Sequence, residues 1–139
     1  YEDWEIRFIS NACCKALFDM PITLRQNRRF SYLYAPDLMP VLDYFIEHEP
    51  KFKCYNVVPD EETELLQAAQ TVLDVSGKKL PIQVAHEGYG LNYSGSNARL
   101  KVQIPGLTFT PIKEAVSALY GYYQTQKAEL NPDLLQTDK

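Results

Sequence analysis

The longest apolar runs in this chain are broken within a few residues, and that removes several architectures at once. A bilayer-spanning helix needs roughly 20 consecutive apolar residues, and no such stretch is present. A doubly wound parallel sheet needs strands that read as near-continuous apolar runs, and the extended segments here are few and brief. Helical and extended patterns alternate instead, which fits a small α/β domain of α+β character. At 139 residues the chain has room for one domain with a real core.

The first helical pattern runs over residues 3–18, with Trp4, Phe8, Ile9, Ala12, Cys13 and Leu17 on more than one side, and Pro21 marks its end. Short strands are predicted over Ile22-Thr23-Leu24 and Phe30–Tyr34, flanking an arginine-rich segment. A second helix spans 36–49, with Leu38, Val41, Leu42 and Phe45 on one face and its two prolines at the first turn. Lys53–Val58 reads as a further strand. Asp60 is a candidate N-cap for a third helix whose stripe is Leu65, Ala68, Ala69 and Val72, and Gly77 is its natural stop. After a strand over Leu80–Val84 and the loop "EGYGLNYSG" come a short helix over 97–102 and a break at Pro105-Gly106. A last helix is capped by Thr110, and a polar tail from about residue 130 is expected to fray. The helices over 3–18 and 36–49 call for cover on more than one face. Exposed apolar surface on them would let the isolated domain self-associate.

The net charge of −4 argues against nucleic-acid binding by the surface as a whole. Three cysteines, Cys13, Cys14 and Cys54, are too few and too badly spaced for a disulfide framework or a zinc site. Adjacent Cys13 and Cys14 can form a redox pair in principle, but they read better as small apolar residues of a helix. This usage fits a reducing, cytosolic compartment.

Reactive constellations are scarce. His48 lies among acids and His86 in a loop, neither with a nucleophile at an activating spacing. Tyr123 and Lys127 share a helix face but sit at the end of a terminal helix, where chance spacing explains them. Gly88-Tyr89-Gly90 lacks the remainder of any nucleotide-binding glycine pattern. No catalytic or metal-ligating residue is assigned. The strongest local signal is "RQNRR": Arg25, Arg28 and Arg29 place three forked donors within five residues of an otherwise acidic chain. Guanidinium groups recognise phosphate in two-pronged fashion, so the segment suits a small anionic ligand. A solvated charged hairpin is the alternative.

Three stretches, in order, carry a resemblance. "FSYLYAPDLMPVLDYFIE" places Tyr32, Tyr34, Asp37 and Leu38, "YNVVPDEETELLQAAQ" opens with Asn56 and Val57, and "SGSNARLKVQIPGLTFTPIKEA" places Ser96, Arg99, Leu100, Ile104, Pro105, Gly106, Phe109, Thr110, Pro111, Glu114 and Ala115. Together they resemble the C-terminal part of the extended short-chain dehydrogenase/reductase family, the NAD-dependent epimerases and dehydratases of nucleotide sugars. The chain departs from that pattern at Phe30, where the family has arginine, at Val58, where it has glycine, and in "EGYGLNYSG", which lacks arginine.

The resemblance implies a substrate-binding C-terminal domain over 1–129 with a flexible tail over 130–139. The Rossmann domain that holds NAD or NADP and the catalytic Tyr-x-x-x-Lys would lie upstream. This chain would bind no cofactor alone, and its partners would be a nucleotide-sugar substrate and its own Rossmann domain. Arg25, Arg28, Arg29, Tyr34 and Tyr93 would hold the substrate. The competing reading is a non-catalytic protein-interaction module that keeps the same fold and uses the tyrosine-rich loop over 88–95 as its surface.

Overall fold

The computed structural model describes residues 3–136. Among these, five α-helices alternate with four short strands: α1 (Phe8–Leu17), β1 (Ile22–Asn27), β2 (Arg29–Phe30), α2 (Leu38–Glu47), β3 (Thr63–Glu64), α3 (Leu65–Ser76), β4 (Ile82–Tyr89), α4 (Ala98–Gln103) and α5 (Ile112–Thr125). The architecture is the small mixed α/β domain that the alternation implies.

β1 runs parallel to β4, with Ile22 opposite Ile82 and Leu24 opposite Val84, and the register slips between Gln26 and Asn27. β2 pairs antiparallel with β3, Arg29 opposite Glu64. The strands around the arginines are therefore not a hairpin. Arg25 lies inside β1, Arg29 belongs to β2, and each strand takes its partner from far along the chain. Local alternation cannot show this, because a parallel pair needs a long crossover between its strands.

α1, α3 and α5 meet in the main core around Ile22 of β1. Small residues at the meeting faces, Ala12, Cys13, Ala16, Ala68 and Ala69, are fully or almost fully buried and allow close helix approach. α1 stops at Leu17, short of Pro21, because Asp19 adopts φ 57° and the Met20 N–H donates to the Lys15 carbonyl at 2.9 Å. Aspartate tolerates the left-handed region better than most residues. Lys78 adds a bond of 2.5 Å to the Asp19 carboxylate. α3 ends as expected on Gly77, whose φ of 68° lies in the left-handed region that glycine enters at least cost.

A second, smaller core gathers Val41 of α2, Leu100 of α4 and Leu107, with Phe45, Tyr55, Val57, Ile104 and Phe109 against them. It explains a misreading. Tyr55 and Val57 do alternate inward, but they dock on this cluster and pair with no strand, so Lys53–Val58 is irregular. Gln103 anchors the same region: its side-chain carbonyl accepts from the Tyr55 hydroxyl at 2.7 Å and the Lys51 N–H at 2.9 Å.

Two expected caps serve elsewhere. Asp60 does not cap α3, which starts later, at Leu65; its carboxylate accepts from Lys101 and Asn97, both at 2.8 Å. Thr110 does not cap α5, where Pro111 holds the cap position. The expected tail also carries structure: residues Pro132–Gln136 form a 3-10 turn and Leu135 is completely buried in the main core. Residues 137–139 of that tail lie outside the described range.

Cys13 and Cys14 are both buried, and burial pushes the Cys14 thiol up to about 12, far from the thiolate that reacts. A thiol reagent is expected to modify only Cys54 in the native protein and all three cysteines after unfolding; fast native labelling at 13 or 14 would refute this packing.

Candidate functional site

The arginine segment ends at a junction of five elements: the end of β1, β2, β3, the first turn of α3 and the end of β4. Strand alternation puts Arg25 on the face opposite Leu24, exposed. Arg28 turns the other way, beside Gln26. Its guanidinium passes so close to Gly90 that a Cβ there would sit 3.1 Å from Nε. A side chain at 90 would press on this guanidinium and on the Gln26 amide oxygen, also 3.1 Å away, and the Gly90 N–H donates to the Asn27 carbonyl at 2.8 Å. Arg29 reaches Glu64, with Nε and Nη2 each 3.4 Å from Oε1. The three guanidinium groups thus leave the backbone in different directions. Among the described residues no acidic partner pairs with Arg25 or Arg28, while Arg29 is held by Glu64.

Glu64 is the centre of the junction. Its Oε2 accepts from the side-chain amide of buried Asn27 at 3.0 Å, and the Tyr89 hydroxyl lies 3.2 Å from both of its oxygens. The Asn27 amide above all, with Tyr89 and Arg29 behind it, holds the Glu64 carboxyl below its ordinary 4.5. Asn27 works in both directions. Its Oδ1 accepts the Leu66 N–H at 3.2 Å, while the Arg28 carbonyl takes the Leu65 N–H at 3.0 Å. Two N–H groups that open α3 are thereby satisfied by the last residue of β1 and the residue after it, where a helix of its own would leave them unpaired. A cleft of about 270 Å³ lies over this junction, lined by Asn27, Leu66, Val84, His86 and Tyr89 among others. A larger, open groove of about 660 Å³ sits at the far end of α3, beside Leu73, Asp74 and Lys78, and touches none of the arginines.

Tyr93 comes to the opposite edge of β2. Its N–H donates to the Arg29 carbonyl at 2.9 Å, and its ring centre lies 5.7 Å from that of Phe30. Its side chain stands largely in solvent. Tyr34 lies beyond, half-buried, where its carbonyl accepts the Asp37 N–H at 2.9 Å and opens the turn into α2. The structure therefore sets Arg29 on β2, Tyr93 on the irregular chain that bridges to it, and Tyr34 at the exit of the same segment.

Asp37 clasps two of the stretches that carry the family resemblance. Its carboxylate accepts the Thr110 N–H at 2.8 Å and the Thr110 hydroxyl at 2.7 Å. Sequence alone marks neither Asn27 nor Glu64 as functional, and it marks Tyr89 only as part of the tyrosine-rich loop over 88–95. The local signals for the first two are the place of Asn27 inside "RQNRR" and the acid-rich "DEETE" that contains Glu64.

The other candidates fall away. Tyr123 is buried in the main core while Lys127 lies over the Phe18 ring at 5.2 Å, so the pair shares no open site. His48 stacks on Tyr44 at 4.1 Å, and His86 is exposed on β4. Among the described residues no cluster of His, Cys, Asp or Glu is placed to hold a metal ion. Among the described residues no helix is long and apolar enough to cross a membrane. A dinucleotide pyrophosphate needs glycines that lead directly into a helix N-terminus. Gly88 and Gly90 lead instead into irregular chain, and α4 begins only at Ala98. These residues do not fit NAD or NADP.

No family model and no curated protein sequence matches the chain. Solved structures do. An epimerase from Burkholderia cenocepacia described as putative in its own name aligns with a TM-score of 0.76 at 15% identity, over 89% of this chain and 43% of its own. The dTDP-glucose 4,6-dehydratase of Bacillus anthracis, solved with NAD, aligns at 0.73 and 15% identity over 92% and 42%. The UDP-glucuronic acid 4-epimerase of Bacillus cereus, solved with UDP-glucuronic acid and NAD, aligns at 0.71 and 15% identity over 87% and 40%. The chain spans about 40% of the length of these proteins. Over nearly all of its own length, then, it has the fold of one part of the NAD-dependent nucleotide-sugar epimerases and dehydratases, the extended short-chain dehydrogenase/reductases that its sequence resembles.

Proposed function

We propose that this chain is the substrate-binding part of an NAD(P)-dependent nucleotide-sugar epimerase, dehydratase or reductase of the cytosol, with the cofactor and the acid/base tyrosine on a preceding domain. The observation that carries the reading is the fold match, which takes in most of this chain and less than half of each enzyme. The junction at β1, β2 and β4 supplies the chemistry. Among the described residues Arg25 and Arg28 offer forks that no acid pairs with, and Tyr93 offers an exposed ring. A part that binds and orients a diphosphate needs no more.

The arginines differ in expected weight. Arg28 is partly buried against Gly90 and has no acid to neutralise it, whereas Arg29 is already engaged by Glu64. In the intact enzyme, Arg28→Ala is expected to raise KM for the sugar nucleotide about tenfold with kcat little changed, the mark of lost uniform binding, and Arg29→Ala to do less. Steady-state kinetics check this, and unchanged KM after replacing Arg25, Arg28 and Arg29 together removes the segment from the site.

One observation favours a second reading, a protein-interaction module on the same fold: Tyr89, Leu91 and Tyr93 are all strongly exposed. Reading the encoding DNA ahead of Tyr1 separates the two. A strand followed by G-x-x-G-x-x-G, with Tyr-x-x-x-Lys further on, supports the enzyme.

A further inference from the structure

α2 is apolar on two sides, and the domain covers only one of them. Inward, Val41 is 2% exposed and packs with Phe45 into the second core. Outward, Met39, Leu42 and Ile46 are 51%, 45% and 80% exposed. Their i, i+3, i+7 spacing lines them up as one stripe. α1, by contrast, needs cover on more than one face and receives it: Ile9 and every residue from Ala12 to Leu17 are buried.

We propose that the Met39–Leu42–Ile46 stripe is the seat of the cofactor-holding part of a longer polypeptide. The inference rests on the reading under Proposed function, and two observations choose this occupant. The proteins that share the fold carry more than half of their length outside the matched region, so each has chain to spare for a second layer over α2. Charge disfavours a second copy of this chain. Between residues 30 and 50 there is no Lys or Arg, while Asp37, Asp43, Glu47 and Glu49 are all acidic. Two stripes laid face to face would set Asp43 and Glu47 of one copy near the same acids of the other, and like charges at an interface oppose pairing.

The experiment places a single thiol on the stripe. Ile46→Cys with Cys54→Ser is made both in this chain and in the full gene product, and alkylation rates are compared in the native state. The position is so exposed here that the substitution leaves the core untouched, and Leu42→Cys gives the same comparison at an independent point. In the full product alkylation is expected to be at least about tenfold slower, the protection given by a docked surface that opens only rarely. Equal rates in a full product that does contain a cofactor-holding half overturn this inference and leave the proposed function standing. A full product without that half overturns both. Slow alkylation already in this chain, with dimers in sedimentation, makes the stripe a self-interface and overturns the proposal.

Discussion

Leu100→Ala is expected to cost about 3–4 kcal/mol, within the usual range for emptying a fully buried leucine site. Leu100 has no exposure and stands at the centre of the second core, touching the cluster formed by Val41, Leu107, Phe45, Tyr55, Val57, Ile104 and Phe109. A domain of this size is stable by roughly 5–15 kcal/mol, which makes the loss a large fraction of the total. Denaturant unfolding should show a lower midpoint with an unchanged slope. Val102→Ala, on the exposed side of the same helix, should move stability by no more than about 0.5 kcal/mol. If the two variants behave alike, the second core is not a packed unit.

The second large effect centres on Asn27. Asn27→Ala removes a donor to a carboxylate and an acceptor for the Leu66 N–H. The half-buried Leu66 N–H loses its acceptor, which costs about 1–3 kcal/mol. Since Glu64 keeps Tyr89 and Arg29, a loss within that range is expected. The change also carries a pH signature. The folded-state pKa of Glu64 lies below its unfolded value of about 4.5, chiefly through Asn27. Its ionisation therefore contributes stability that is fully present above pH 4.5 and is lost as pH falls through the lowered folded value. Asn27→Ala removes the main cause of that shift, so its unfolding free energy should depend less on pH below 4.5 than that of the parent. Parallel curves for the two proteins would take Asn27 out of the Glu64 network.

Sequence alone went furthest where a pattern is local. The stripe of α3, its stop at Gly77, the break at Pro105-Gly106 and the run of α5 all follow from periodicity and turn chemistry, because each depends on neighbours within a few positions. The partners of β1 and β2 do not. Leu24 meets Val84 and Arg29 meets Glu64, and nothing near either residue encodes the distant one. The same limit applies to the site. "RQNRR" stands out as charge, but the direction of each guanidinium is set by strand alternation, by the missing side chain at Gly90 and by Glu64 across the sheet. Asp60 and Thr110 show a related limit: short polar side chains placed like caps were taken by remote partners, Lys101 and Asp37, that a reading in one dimension cannot see.

The parallel pairing of Ile22 with Ile82 has a consequence for the order in which the molecule is made. While the chain is being synthesised, β1 emerges long before β4 exists, and closing so distant a contact is slow. Through that interval the edge of β1 that β4 will later pair with lies open. Translation speed over the intervening stretch thus becomes a determinant of how many molecules escape aggregation.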